Sequence, residues 1–130
     1  NVKFDFSQRI EGHLSGKSIG KNFNTLFKKK LTAKEIFTKY RDKDADASNF
    51  IISYKENLAR SLVIIITTID PDAIVFGGGV SNEIDFLDEL KSMSAKLLNE
   101  KSLKTVFLKP IYGDASGVRG AALLGRQNLI

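Results

Sequence analysis

Cysteine and tryptophan are absent from the 130 residues, and the chain has only two prolines, one methionine and one histidine. The missing thiols exclude disulfides and thiolate metal sites. His13 alone would need carboxylates to build a zinc site, so no metal site is expected within this chain. Long apolar runs are also lacking: residues 62–66 are too few to span a bilayer and follow Arg60, which makes them a stretch of core helix. No apolar leader opens the sequence, so a cytoplasmic protein with no membrane partner is expected. What remains is an ordinary globular composition, 42% apolar and 27% charged, in a length suited to a single domain. The net charge of +5 permits a polyanion such as ATP or nucleic acid without requiring one. Its one basic run, Lys28-Lys29-Lys30, reads as a solvated loop.

One stretch organises the rest. Asp70-Pro71-Asp72 makes a turn, because proline fixes its own φ and keeps the preceding residue out of helical geometry. Ala73 to Phe76 has the pattern of a short buried strand. Gly77, Gly78 and Gly79 stop it, leaving a backbone free to take positive φ and to be approached closely. Ser81 or Asn82 is placed to cap a following helix, with Glu83 and Asp85 favouring its positive end. Strand, glycine turn and helix start together form a common holder of phosphate or nucleotide sugar. The spacing matches neither GxGxxG nor GxxxxGK[ST]. A plain sharp turn therefore stands beside the nucleotide reading.

Along the chain, residues 1–6 alternate as a strand does. Residues 7–20 read as a helix in which Gly12, Gly16 and Gly20 recur every four residues. Each glycine costs a helix about 1 kcal/mol against alanine. Either that segment is only partly helical, or another backbone or a ligand lies on that face. The segment carries Glu11 and His13, whose plain readings are a solvated carboxylate and a packing histidine. Phe23, Leu26 and Phe27 form an apolar cluster. Thr32 caps a helix to about Tyr40, with Glu35 in the capping-box position. A long helix runs from Asp46 or Ser48 to about Ile69, apolar nearly all round in its second half and so expected to be buried on several sides. A helix over about 83–99 follows the glycine turn, with Met93 as core filling. Then come a strand over 104–108, a small-residue loop over 113–117 in which Asp114 most simply caps, and a last helix from Val118 to about Gln127. Residues 74–76 and 106–108 are expected to be parallel neighbours, since a long helix separates them. Glycine loops at the carboxyl ends of both strands strengthen the nucleotide reading, because ligands bind at that edge of α/β sheets.

Three segments carry a resemblance: Glu11-Gly12-His13-Leu14-Ser15-Gly16; Asp70 through Gly77-Gly78-Gly79-Val80-Ser81; and Gly113-Asp114-Ala115-Ser116-Gly117-Val118-Arg119-Gly120-Ala121-Ala122. In order and spacing the chain resembles the C-terminal half of ROK-family proteins, which are bacterial sugar kinases and sugar-responsive repressors, and it is most similar to N-acetylglucosamine kinases. The resemblance implies an α/β domain of the actin/hexokinase-like (ribonuclease H-like) ATPase fold, a mixed sheet flanked by long helices. Residues 1–130 would form the nucleotide-side half of a two-domain enzyme.

It further implies transfer of the γ-phosphate of Mg2+-ATP to a hydroxyl of a hexose or N-acetylhexosamine. Gly77, Gly78, Gly79 and Val80 would line the adenosine and phosphate side of the cleft, and Glu11 would hydrogen-bond sugar hydroxyls. No catalytic residue is assigned within this chain. The family's DxGGT phosphate loop and its aspartate base belong to the N-terminal kinase domain. The family's zinc site of one histidine and three cysteines has no counterpart, since Ser7, Gln8, Arg9 and Ile10 occupy that approach; zinc is not expected. One wall of the cleft should not catalyse transfer alone, so the 130 residues by themselves are expected to be inactive and to bind ATP weakly. A homodimer is the expected assembly. Two other classes compete: the sugar-sensing effector domain of a ROK repressor, in which nucleic acid would be a partner, and a stand-alone interaction module using the basic surface.

Overall fold

Ser15 starts the first helix by accepting a hydrogen bond from the Ser18 backbone N–H onto its Oγ at 3.3 Å. The computed structural model describes residues 15–110, so the strand expected at 1–6, Glu11 and His13, the 113–117 loop with Asp114, and the last helix lie outside the described residues. Helix α1 is Gly16–Phe27 and closes on Lys28 in the left-handed region at φ 53°. The boundary expected at Gly20 is thus corrected: Phe23, Leu26 and Phe27 continue the helix. Ile19 and Phe23 share a face and are fully buried, and the Phe23 ring lies 4.7 Å from that of Phe27 and 5.3 Å from that of Phe50. Burial of that stripe outweighs the helix cost of the glycines.

The link to the next helix is clamped by Asn24, whose amide donates to Leu31 O and whose Oδ1 accepts from Leu31 N, both at 2.8 Å. Helix α2, Ala33–Arg41, begins with the expected capping box. The Glu35 N–H donates to Thr32 Oγ1 at 3.2 Å, and the Thr32 N–H donates to Glu35 Oε2 at 2.9 Å. Helix α3, Ala45–Ile69, starts slightly before the expected residue because Asp44 caps it through the Ala47 N–H at 3.0 Å. That hydrogen bond lowers the Asp44 carboxyl below its ordinary pKa. Phe50, Ile51, Tyr54, Leu58, Leu62 and Ile66 make one buried stripe on α3, against which α2 and α4 pack. The second half of α3, expected to be buried on several sides, leaves part of its apolar surface open. Ile64, Ile65 and Ile69 are exposed, Ile69 by 70%, while Leu62 and Ile66 in the same turns stay buried, so this part of α3 is covered on one side.

Strand β1, Ala73–Val75, pairs in parallel with β2, Val106–Leu108, in the register Ala73↔Val106, Ile74↔Phe107, Val75↔Leu108. The parallel pairing is as expected; the burial is not. Ile74 and Phe107 are half-buried and lie beside the core, whereas Val75 is 59% exposed and Val106 and Leu108 also face outward. The carboxyl end of β1 passes into Gly77 and Gly78 and then a 3₁₀ turn, Gly79–Asn82. Helix α4 is Leu87–Leu97 and does not begin at residue 83. Ser81 does not cap it, because Ser81 lies within the 3₁₀ turn, well before Leu87, and its hydroxyl donates back to Gly78 O at 2.6 Å. Asn82 does not cap it either: the N-cap position falls at Phe86, with no side-chain hydrogen bond. Glu83 and Asp85, expected at the positive end of that helix, instead pair with Arg41 at the end of α2. Ile84 and Phe86 alternate with them into the core, and Phe86 stacks on Phe37 at 6.4 Å.

One charge sits inside this packing. Lys55, on α3, is 5% exposed and lies 4.6 Å from the Phe86 ring centroid and 5.0 Å from that of Tyr40. Its Nζ donates to Tyr40 Oη at 2.6 Å and to Glu89 Oε2 at 2.8 Å, which joins α2, α3 and α4. Burial alone pulls its pKa down, but the bonds to Glu89 and Tyr40 prevail and leave it above the ordinary lysine value. Burial also pushes the neighbouring Tyr54 phenol well up.

Because the lysine depends on its partner, removal of the exposed acid should cost more than removal of the buried base. Glu89→Ala is expected to destabilise by about 2 kcal/mol, while Lys55→Met, which fills the same space without charge, stays within about 1 kcal/mol. Urea unfolding of both variants checks the order. Lys55 and Tyr54 both hold protons more tightly folded than unfolded, so stability is intact below about pH 10 and falls as pH rises beyond it. Melting curves from pH 8 to 11 should show that fall, and it should be shallower in Tyr54→Phe.

Candidate nucleotide groove

The glycine turn is open. A Cβ on Gly78 or Gly79 would meet no atom within 4 Å, and Gly78 has φ +85°, a conformation that side chains disfavour. Gly77 is exposed and faces Pro110, with 4.0 Å between its would-be Cβ and the proline ring. Beside the turn runs a groove of about 880 Å³. One wall is the first half of α1, with Gly16, Lys17, Gly20 and Lys21. A second is the clamped link into α2, with Leu31, Thr32, Ala33 and Lys34. The third is the turn itself, with Gly79, Val80, Asn82 and Glu83.

Of the four residues the sequence assigned to the nucleotide, Gly79 and Val80 therefore line the groove, while Gly77 and Gly78 form the bend that leads to it. Glu11, assigned to the sugar, lies outside the described residues. The lysines and Asn24 were not singled out. The usable signal was the glycine repeat, and the structure explains two of its members by close approach. A Cβ at Gly16 would stand 2.8 Å from Val80 Cγ2, and one at Gly20 would stand 3.4 Å from Leu31 O. The glycines thus let the turn and the link come against α1, and the groove is the space left between them.

Its electrostatics favour an anion. Lys17, Lys21 and Lys34 contribute three positive charges against one acid, Glu83. The first residues of α1 and of α2 both reach it, bringing two positive helix ends to one cavity. Arg41 binds Glu83 at 2.6 Å, and this hydrogen bond is the largest influence raising the guanidinium's pKa. Among the described residues no group of three or more histidines, acids or cysteines is placed to hold a metal ion.

The chain is 36% identical over 115 residues to the N-acetyl-D-glucosamine kinase of Erwinia tasmaniensis and 40% identical over 116 residues to that of Mannheimia succiniciproducens. Each alignment covers 88% of this chain and 38% of the relative, so the chain spans well under half the length of the curated relatives it matches. Among solved structures, the ROK hexokinase of Thermus thermophilus superposes with a TM-score of 0.73 at 20% identity, over 87% of this chain and 39% of that one. The ROK glucokinase of Streptomyces griseus, solved in complex with glucose and AMPPNP, gives 0.71 at 21% identity over 90% and 44%. These likenesses establish the expected α/β, actin-like ATPase fold. With the ROK family profile matching residues 8–128, the chain belongs to the ROK family.

Proposed function

We propose that this chain supplies the nucleotide wall of an ATP-dependent sugar kinase that phosphorylates a hydroxyl of an N-acetylhexosamine or hexose. One observation carries the reading: the side-chain-free bend at Gly78 and Gly79 opens on a lysine-lined groove at the carboxyl end of β1. An exposed bend with no cavity beside it would have argued for a mere turn. The kinase names of the N-acetyl-D-glucosamine kinase relatives and the AMPPNP in the glucokinase complex support the same assignment. No observation favours the sugar-sensing repressor or an interaction module.

In this reading the lysines and the helix starts bind the polyphosphate, and the bare backbone lets it approach. Gly77 and Gly78 set the course of the bend; Gly79 and Val80 touch the nucleotide. Transfer forms a bond from the sugar oxygen to Pγ and breaks the bond from Pγ to the bridging oxygen, leaving ADP. The base that accepts the hydroxyl proton belongs to the opposite wall of the cleft, supplied by the N-terminal kinase domain. Mg2+ travels with the polyphosphate, whose oxygens are its natural ligands. Glu11 accepts hydrogen bonds from sugar hydroxyls, and a sheltered carboxylate left unpaired penalises the wrong sugar. The reading also takes the enzyme as a cytoplasmic homodimer; no helix among the described residues is long and apolar enough to cross a membrane.

The full-length protein, assayed with ATP across hexoses and N-acetylhexosamines, is expected to phosphorylate N-acetylglucosamine best. Glu11→Ala should raise the sugar KM by about 10- to 100-fold with the ATP KM unmoved; an unchanged sugar KM and kcat would remove Glu11 from the site. The 2.8 Å approach at Gly16 gives a second test from the nucleotide side. Gly16→Ala improves helix propensity yet displaces Val80, and should raise the ATP KM about fivefold while leaving the sugar KM alone.

A further inference from the structure

Glu83 is the one acid among the described residues lining the groove, and it faces a cavity otherwise furnished with lysines. A carboxylate within a Debye length of a bound polyphosphate weakens binding severalfold unless its charge is cancelled. Arg41 cancels it without itself lining the groove. Its Nη2 donates to Glu83 Oε2 at 2.6 Å and to the Glu83 carbonyl oxygen at 3.2 Å, while its Nε lies 3.6 Å from Asp85 Oδ2. The Glu83 side chain is only 14% exposed and that of Asp85 is 60% exposed, so the sheltered acid holds the closer bond. The guanidinium reaches from the last residue of α2 to the residue that closes the 3₁₀ turn, a separation of 42 positions in the chain.

We propose that Arg41 is a positioning residue of the nucleotide groove: by tying back the Glu83 carboxylate and cancelling its charge, it sets the affinity for polyphosphate anions without touching them. The inference rests on the nucleotide reading of the groove. It differs from a general stabilising role in one respect: loss of Arg41 should matter in proportion to the charge of the ligand. A shifted turn would weaken every ligand alike. An uncovered carboxylate weakens ATP, spares adenosine, and is cured by removing the carboxylate.

Calorimetric titration of the full-length protein with ATP, AMP and adenosine tests this. Arg41→Ala should weaken ATP about fivefold, AMP less, and adenosine by less than about twofold. Glu83→Gln alone should tighten ATP by up to about threefold, and Arg41→Ala combined with Glu83→Gln should return ATP to within about twofold of wild type. Arg41→Gln keeps a donor for the Glu83 carbonyl and drops the charge; it should repeat the pattern if Arg41→Ala folds poorly. Equal losses for all three ligands, no loss of ATP affinity, or a double variant as weak as the single one would each overturn the inference. A wild-type protein that binds none of the three overturns the nucleotide reading together with it, whereas normal wild-type binding with unaffected variants overturns this inference alone.

Discussion

One place on α1, Gly16, must be empty of side chain, a second, Gly20, leaves little room, and the shape of the groove follows from both. Val80 occupies the space beside Gly16, and the Leu31 carbonyl stands close to Gly20. A Cβ at Gly16 would force Val80 to give way, and a packed interior passes such a displacement on rather than absorbing it. A Cβ at Gly20 would meet the Leu31 carbonyl at ordinary contact distance, and only bulkier side chains would crowd the link into α2. A helix with two glycines in its first half is intrinsically weak. It persists here because Ile19 and Phe23, on a neighbouring stripe, are completely buried against the core. Apolar burial on one face thus sustains a helix whose other face is kept bare.

The charges have an analogous division of labour. Arg41 with Glu83 and Lys55 with Glu89 both fasten the segment 83–89 to the helices beneath it, one from α2 and one from α3. An exposed ion pair contributes little to stability in general, and only Lys55 and the Glu83 side chain are sheltered here. These two pairs matter by location: each spans elements remote in sequence, and between them Ile84 and Phe86 anchor the same segment in the core. The turn that borders the groove is therefore held from below by both apolar and ionic contacts. Its outward side, at Gly78 and Gly79, stays open.

What could be read from the sequence was what depends on near neighbours. The Thr32–Glu35 capping box, the parallel pairing of the strand near residues 74–76 with that at 106–108, and the glycine bend all follow from local chemistry or from connection length. The failures lie in where the helix starts and in what its flanking acids meet. Ser81 looked like a helix cap, yet it is taken up in the 3₁₀ turn, where its hydroxyl donates to Gly78 O. Glu83 and Asp85 looked like first-turn acids until Arg41 claimed them across 42 and 44 positions. The helix therefore begins at Leu87, where Asp88 and Glu89 supply its first-turn charge. Lys17, Lys21 and Lys34 carry no motif, because a solvated lysine and a groove lysine look the same until the fold brings them together. The glycine repeat did carry the information, and close approach of another segment was one of the readings it allowed.

Three separate devices hold the walls: the Asn24 clamp ties the link to α1 at Leu31, the capping box at Thr32 starts α2 from that link, and the Arg41 tie on Glu83 holds the turn. A cavity whose walls are each secured before a ligand arrives spends little binding free energy on ordering itself. That arrangement suits a site which must present a triphosphate in one attitude, since phosphoryl transfer is governed by positioning and charge. It also limits what this wall can decide. Lysines and bare backbone recognise polyphosphate by charge and by absence of bulk, neither of which distinguishes one sugar from another. On the kinase reading, choice of sugar must then reside with groups such as Glu11 that can match a pattern of hydroxyls.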